Sequence, residues 1–168
     1  MRWGIVLGAA TVACGGVVWA GWQAHRQRME EDMLTPEERW NKHVTTHSGL
    51  IKLTESLYMV QGTFRMLGIT QSRNMTVIVT PPVEPSGRPQ LVLHSVVAVD
   101  GPCMDSLLRL GDPSVIIVPN DFHRLDARVY KERFPSAKIV CPSICRPQVE
   151  EVVPVDDMFG DFSVHPFL

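Results

Sequence analysis

The sequence lacks a bias toward charge of either sign. Its 168 residues carry 16 Lys and Arg against 18 Asp and Glu, for a formal net charge of −2. The basic residues are scattered, whereas nucleic-acid-binding domains usually collect them in patches. We therefore expect no nucleic-acid partner. With 45% hydrophobic residues, the chain can form one domain with a real core and an appendage.

The sequence also lacks several common catalytic and metal-binding motifs. No two of its 4 cysteines have CxxC spacing, which argues against a zinc ribbon or a thioredoxin motif. Cys141 and Cys145 in "CPSIC" are compatible with a disulfide, and we expect two free thiols; a thiol-based redox role is a weaker alternative. Cys103 begins a predicted helix, where a thiol pKa can fall, but a buried structural role is expected. Ser95 is not part of a G-x-S-x-G pattern, so a serine hydrolase is poorly supported.

Residues 3–22, close to the amino terminus, lack charged residues altogether. The run "WGIVLGAATVACGGVVWAGW" is 20 residues long, and a helix of that length spans roughly 30 Å, the thickness of a bilayer core. Trp3 lies at one end and Trp19 and Trp22 at the other, as interfacial aromatics do, and Gly4 and Gly8 offer a small-residue packing face. We interpret residues 3–22 as a retained single-pass transmembrane helix, because no signal-peptide cleavage site follows. Positive charges flank both ends, so they do not choose an orientation.

The anchor and its polar extension occupy residues 1–28, and a linker follows over 29–49. Within the linker, Thr35 and Glu38 match a capping box and predict the start of a short helix. This helix would carry His43 and His47 on one face. Such a pair could bind a metal, but without a nearby carboxylate or Cys a solvated or interface face is the favoured interpretation.

The next segment, residues 50–157, is predicted to form an α/β domain. Runs rich in β-branched residues indicate strands, and helical spacing of apolar residues indicates helices between the later strands. The order βββαβαβ favours a layered sheet whose last three strands are joined by helical crossovers. An apolar tail, residues 158–168, is expected to dock on a partner. The predicted strands lie in "SLYMVQG", "NMTVIVTP", "QLVLHSVVAV", "SVIIVPN" and "AKIVCP", and the helices in "PCMDSLLRLGD" and "LDARVYKERFP".

Polar residues follow two of these strands, at the carboxyl ends where open α/β sheets place their sites. His94 belongs to "LHS", and Asn120, His123 and Asp126 belong to "PNDFHRLD". Taken alone, each has an ordinary structural interpretation. His94 would be a hydrogen-bonded strand-end residue, Asn120 would satisfy loop backbone groups, and His123 and Asp126 would cap the next helix.

The order of these elements resembles the amino-terminal half of a metallo-β-lactamase-type domain. More narrowly, it is similar to a divergent, uncharacterised branch in which the strand–loop reads like xxPNxxHH, over roughly residues 50–157. The resemblance implies half of an αββα sandwich, a mixed sheet with flanking helices, behind one transmembrane helix. Active members carry His-x-His-x-Asp-His in this loop and bind zinc or iron ions.

This sequence departs from that ligand pattern. Aligned on the strand, Asn120 and Phe122 stand where the first two imidazoles would be, and His123 is one position off. A neutral amide is a poor zinc ligand and a phenyl ring is none. The family's remaining ligands come from the second half of the fold, and the sole histidine after Asp126 is His165. We therefore expect a truncated, degenerate domain without catalytic residues, metal or cofactor.

The function predicted from these features is that of a non-catalytic accessory subunit of a membrane complex. The chain would bind the bilayer through residues 3–22 and would pack against other subunits. A supernumerary subunit of a mitochondrial inner-membrane respiratory-chain complex or ATP synthase fits the short, unprocessed, Arg-flanked anchor. The alternative is a membrane-anchored metal-dependent hydrolase relative that uses a reduced ligand set around one metal: His94, Asn120, His123 and Asp126.

Overall fold

A computed structural model describes residues 29–66, 68–82 and 87–160 of the chain. The chain falls into two compact units, one ending at Arg39 and the other beginning at Trp40. In the first unit, the Thr35 N–H donates to Glu38 Oε2 at 2.9 Å, and the Glu38 N–H donates to Thr35 Oγ1 at 3.3 Å. The predicted capping box is confirmed. It precedes helix α1, Pro36–His43.

The second unit is built on one mixed, seven-stranded sheet whose strands lie side by side in chain order. The pairs from β1 to β4 are antiparallel, and the pairs from β4 to β7 are parallel. The parallel β4–β5–β6 core agrees with the predicted crossovers. The strands are β1 (Ile51–Lys52), β2 (Leu57–Met66), β3 (Ile69–Pro82), β4 (Pro89–His94), β5 (Asp112–Ile117), β6 (Lys138–Pro142) and β7 (Asp157–Phe159).

Helices connect the parallel strands. Helix α2 (Gly101–Leu110) joins β4 to β5, α3 (Ala127–Arg133) joins β5 to β6, and α4 (Arg146–Glu150) precedes β7. The buried residues of α2 and α3 share one hydrophobic cluster with one face of the sheet, which we call the covered face. Its central members, all buried, are Leu91, Leu93, Ile116 and Ile139, with Met104, Leu107, Val129 and Tyr130 from the helices.

The opposite face of the same strands is less covered. Side chains alternate between the two faces of a strand, and the register places Val92 beside Val115 and Ile117 beside Val140. These residues are half-buried, and Ile78 is 37% exposed. The aliphatic side chains here do not belong to the described core cluster. We call this surface the open face; it comprises Leu57, Met59, Ile78, Val92, Val115, Ile117 and Val140.

The third predicted strand, expected over residues 90–99, ends early at His94. Ser95 has φ of 59°, outside the β region, and its N–H donates to Ile117 O at 2.9 Å. Residues 96–99 are nevertheless buried. Gly62 permits this close packing, because a Cβ at that position would lie 2.6 Å from Val97 Cγ1. The apolar run correctly predicts that residues 96–99 are buried. It also predicts that the strand continues to residue 99, whereas β4 ends at His94 and the chain turns at Ser95.

Two predicted segments lie outside the described residues: the membrane anchor at 3–22 and all but the first residues of the tail at 158–168. In the part of the chain that is described, no helix combines the length and the apolar character needed to cross a membrane.

Candidate functional site at the carboxyl ends of β4 and β5

The predicted candidate residues gather at one edge of the sheet, where β4 and β5 end. His94 is the last residue of β4 and pairs with Ile117, the last residue of β5. Asn120 follows and begins a 3₁₀ turn, Asp121–His123. The structure therefore brings together residues that the sequence places after two different strands, as the strand-end rule predicts.

Asn120 caps this 3₁₀ turn. Its side-chain oxygen accepts from the N–H groups of Phe122 at 3.0 Å and His123 at 3.1 Å. The prediction that Asn120 satisfies local backbone groups is confirmed. Phe122 itself is 74% exposed. The first two positions of the aligned motif thus hold an amide committed to the backbone and a phenyl ring largely in solvent.

Asp126 is 2% exposed and joins three distant segments. It occupies the N-cap position of α3 but makes no side-chain cap bond, so the predicted capping role is wrong. Its Oδ2 accepts from the Ala98 N–H at 2.9 Å and from Arg73 Nη2, and its Oδ1 accepts from His43 Nδ1–H at 2.9 Å. The carboxylate therefore holds together β3, the end of α1 and the buried segment after Ser95.

His43 and His47 do not share a helical face. Helix α1 ends at His43, and His47 lies beyond it in an isolated β-bridge with Gly62. The Nε2 of His47 accepts from the Asp100 N–H at 3.0 Å, and its Nδ1 lies 2.6 Å from Ser48 O. Because both rings have separate structural partners, the spacing that suggested a metal pair does not form one.

His123 is held by Ser95. The Ser95 side chain bonds to His123 Nδ1, and Ser95 is 3% exposed. Burial lowers the pKa of His123, and the neighbouring His94 and Arg73 lower it further. His123 is accordingly a neutral imidazole at pH 7, positioned by a buried hydroxyl rather than acting as a cap for α3.

A pocket with a volume of about 340 Å³ lies between the β2–β3 hairpin and the segment 121–125. The candidate residues predicted from the sequence include His123 in the 121–125 segment and none in the hairpin. No local spacing links the two, since Arg73 lies 53 residues before its partner Asp126. The lining residues are Phe64, Gln71, Ser72 and Arg73 from the hairpin, and Asp121, Phe122, His123, Arg124 and Leu125.

Solved structures with a similar backbone are metallo-β-lactamases. The metallo-β-lactamase IND-7 matches with a TM-score of 0.52 at 10% identity, over 74% of this chain and 56% of that chain. A metallo-β-lactamase from Pontibacter korlensis matches with a TM-score of 0.48 at 11% identity, over 68% and 53% respectively. The chain has a metallo-β-lactamase-like fold. At such low identity the likeness shows the fold alone, and the chain spans about half the length of these proteins.

Comparisons of the sequence itself give no relative: no protein-family model and no curated protein matches the chain.

The side chains of this metallo-β-lactamase-like loop do not fit the metal site that the resemblance implies. Both carboxylate oxygens of Asp126 accept hydrogen bonds, one of them from a guanidinium, and the Asn120 oxygen is used by the backbone. Over residues 29–66, 68–82 and 87–160, no group of three or more His, Cys, Asp or Glu is placed to hold a metal ion. His94 and His123 are the imidazoles left at this edge.

The described cysteines are free thiols: Cys103, Cys141 and Cys145. Asp100 caps α2 by accepting from the Cys103 N–H at 2.9 Å, and burial together with this carboxylate raises the pKa of Cys103. Burial and the nearby Cys145 raise the pKa of Cys141 as well. Reactive cysteines have lowered pKa values, so the shifts at Cys103 and Cys141 have the wrong sign for nucleophilic chemistry.

Proposed function

We propose that the protein is a non-catalytic accessory subunit of a membrane complex. Residues 3–22 anchor it in the bilayer, and the open face packs against an apolar sheet face of another subunit. The complex is a respiratory-chain complex or ATP synthase of the mitochondrial inner membrane, with this chain as a supernumerary subunit. The observation that carries the proposal is the contiguous aliphatic surface of the open face, which the exposed Lys138, in register with Val115, borders.

The open face has the properties of an interface. Val92, Val115, Ile117 and Val140 are neighbours in register on three adjacent strands, so their side chains form one contiguous surface. Contiguous apolar patches on soluble monomers are usually small, and larger ones mark contact sites. Fully burying one aliphatic side chain contributes about 1.5–3 kcal/mol to the stability of a fold or an interface. These residues are only half-buried in the unit, so burial against a partner would contribute the remainder.

The chemistry of the open face favours a sheet as its partner. The aliphatic residues that define it carry no charge, so a charged or strongly hydrated partner surface would lose hydration without compensation. A sheet face can interdigitate with another sheet face at a spacing of about 10 Å. A partner sheet with β-branched side chains is therefore the surface that best fits these strands.

The polar groups of the candidate site support a non-catalytic role. Asn120 caps a turn, Asp126 holds Arg73 and His43, and Ser95 holds His123. Each of these contacts stabilises the fold of the unit. They engage the side-chain oxygens of Asn120 and Asp126, which leaves the rings of His94 and His123 as the imidazoles at this edge.

Purification in mild detergent with a matched pair of variants tests the proposal. The face variant replaces Val92, Val115 and Ile117 by Thr, which keeps the β-branched shape and strand propensity. The control replaces Ile69 and Ile144 by Thr; these are 62% and 71% exposed, and neither belongs to the open face. We expect the wild-type and control chains to migrate with defined partner subunits and the face variant to migrate alone. A wild-type chain recovered as a lone monomer, or a face variant that stays assembled, would contradict the proposal.

Metal analysis of the same purified protein tests the competing hydrolase function. The alternative requires a bound ion near His94, Asn120, His123 and Asp126. Stoichiometric zinc or iron that is lost in His123→Ala would favour that alternative. We expect wild-type and His123→Ala preparations to contain equal, substoichiometric amounts.

A further inference from the structure

We propose that the pocket between the β2–β3 hairpin and the segment 121–125 binds a small apolar molecule that carries one carbonyl or carboxylate oxygen. The oxygen accepts a hydrogen bond from His123 Nε2–H, and the apolar part packs on Phe64, Phe122 and Leu125. The site lies within the second unit and is independent of the docking role of the open face.

The size and lining of the pocket suit a small organic molecule. Its volume of about 340 Å³ is at the lower end of the range of small-molecule sites, about 300–1,000 Å³, which are mostly apolar with a few placed polar groups. Here the apolar part comes from Phe64, Phe122 and Leu125. Phe122 and Leu125 are 74% and 48% exposed, so contact with a ligand would remove apolar surface from water.

The bond between Ser95 and His123 fixes which ring nitrogen carries the proton. Ser95 is buried, and among the described residues its hydroxyl bonds only to His123 Nδ1. A neutral imidazole has one donor and one acceptor nitrogen. If Nδ1 carried the proton, the buried hydroxyl proton of Ser95 would have no acceptor, which is costly. Ser95 therefore donates to Nδ1, and the proton sits on Nε2.

His123 is thus a preset hydrogen-bond donor in the wall of the pocket. Within the described part of the chain, no hydrogen bond engages its Nε2, and the lowered pKa keeps the ring neutral at pH 7. A neutral N–H donor is complementary to a carbonyl or carboxylate oxygen. It offers nothing to a ligand that presents only N–H or O–H donors.

The charges around the pocket exclude a strongly anionic ligand. Arg73 is balanced by Asp126, and Arg124 lies 3.3 Å from Glu151. Asp121 adds a further negative charge to the lining. The lining therefore lacks the surplus of positive charge that phosphate groups require. An apolar ligand with one acceptor oxygen is more complementary to this pocket.

Arg73 adds a second polar feature. Its side chain is 10% exposed, its Nη2 holds Asp126, and its Nε is buried without an acceptor among the described residues. The guanidinium carbon lies 6.0 Å from the centre of the Phe64 ring. This side chain therefore stiffens the hairpin wall of the pocket while its hydrogen-bonding capacity is only partly used.

Nuclear magnetic resonance of the full-length, ¹⁵N-histidine-labelled chain in detergent tests the proposal with benzamide and benzoate as probes. We expect the unliganded protein to show His123 protonated on Nε2, and at least one probe to shift the Nε2 resonance. A probe of roughly nine non-hydrogen atoms should bind with a Kd on the order of 1 mM. Tighter binding of benzamide identifies a neutral acceptor as the preferred ligand, and tighter binding of benzoate identifies a carboxylate.

Variants distinguish this pocket from nonspecific binding. Phe122→Ala should weaken the better probe by roughly 3- to 10-fold, as expected for an aromatic wall, whereas Ile144→Ala, at an equally exposed site outside the pocket, should leave its affinity unchanged. Ser95→Ala should produce a mixture of His123 tautomers. The proposal is overturned if His123 carries its proton on Nδ1 or if neither probe shifts its resonance. It is also overturned if Phe122→Ala and Ile144→Ala bind the better probe with the same affinity.

Discussion

The two faces of the sheet use the same strands and similar residues but have different surroundings. Ile116 is fully buried on the covered face, and the next residue, Ile117, is only half-buried on the open face. The same difference separates Leu91 and Leu93 from Val92. Strands that are aliphatic on both faces are typical of sheets covered on both sides. The described helices cover one side. The aliphatic residues of the other side therefore keep exposed apolar surface that a binding partner can bury.

The largest expected effect concerns the polar contact beside the covered face. Asp126→Asn would leave the buried guanidinium of Arg73 without its counter-charge, and breaking a buried pair costs about 3–5 kcal/mol. Urea unfolding of the detergent-purified chain measures this loss in the free energy of unfolding. Asp121→Asn, in the same loop, should cost far less. A small effect at Asp126 would mean that the carboxylate does not tie the segments together.

The two faces are compared most directly by adjacent isoleucines. Ile116→Ala should lower the free energy of unfolding by about 2–5 kcal/mol, because it opens a cavity in the packed cluster. Ile117→Ala removes the same atoms from a half-buried site and should cost less than half as much in the isolated chain. Chemical denaturation of both variants checks this. Equal losses would indicate that the open face is packed as tightly as the covered one.

Gly62→Ala tests the close approach of the buried segment to β2. The added methyl group would lie 2.6 Å from Val97 Cγ1, and such overpacking usually costs about 1–3 kcal/mol. We expect a lowered thermal midpoint for Gly62→Ala. Gly49→Ala is a suitable control, because a Cβ there meets nothing within 4 Å; a similar midpoint for both variants would refute the packing of Val97 against β2.

The smallest effect is a pH dependence from His123. Its pKa is lower in the folded chain than in the unfolded one, so between the two pKa values the unfolded state binds more protons. The free energy of unfolding therefore falls as the pH drops below the unfolded value of about 6.5. We expect His123→Gln to flatten this part of the stability profile, measured by denaturation between pH 5 and 7. A profile that is unchanged in the variant would assign the dependence to other groups.

The sequence predicted the elements of the fold better than their ends or their surroundings. Hydrophobic spacing located the central strands, α2 and α3, because those signals are local. Hydrophobic spacing did not predict the turn at Ser95, because the apolar residues 96–99 have the composition of a strand. Only their tertiary packing shows that they form a buried loop. The open face was equally hidden, because composition reports that a strand is apolar but not which face is covered.

The sequence predicted the position of the candidate site correctly, but it predicted the roles of only some of its residues. Strand ends and the resemblance placed Asn120, His123 and Asp126 at one edge, and the prediction that Asn120 satisfies nearby backbone groups followed from its position in the loop. The role of Asp126 could not be predicted from nearby residues, since its partners Arg73 and His43 lie 53 and 83 residues away in the sequence. Pairings over such distances depend on the register of β2 with β3 and on the end of α1, which no local pattern specifies.

The most direct test of the central claim is photo-crosslinking from the open face in native membranes. A photoreactive amino acid replaces Val92 in one chain and, as a control, the 71% exposed Ile144 in another. We expect position 92 to crosslink to a β-strand of one defined partner subunit and position 144 not to do so. Crosslinks from position 92 only to lipid, or only within the chain itself, would contradict a docking role for this face.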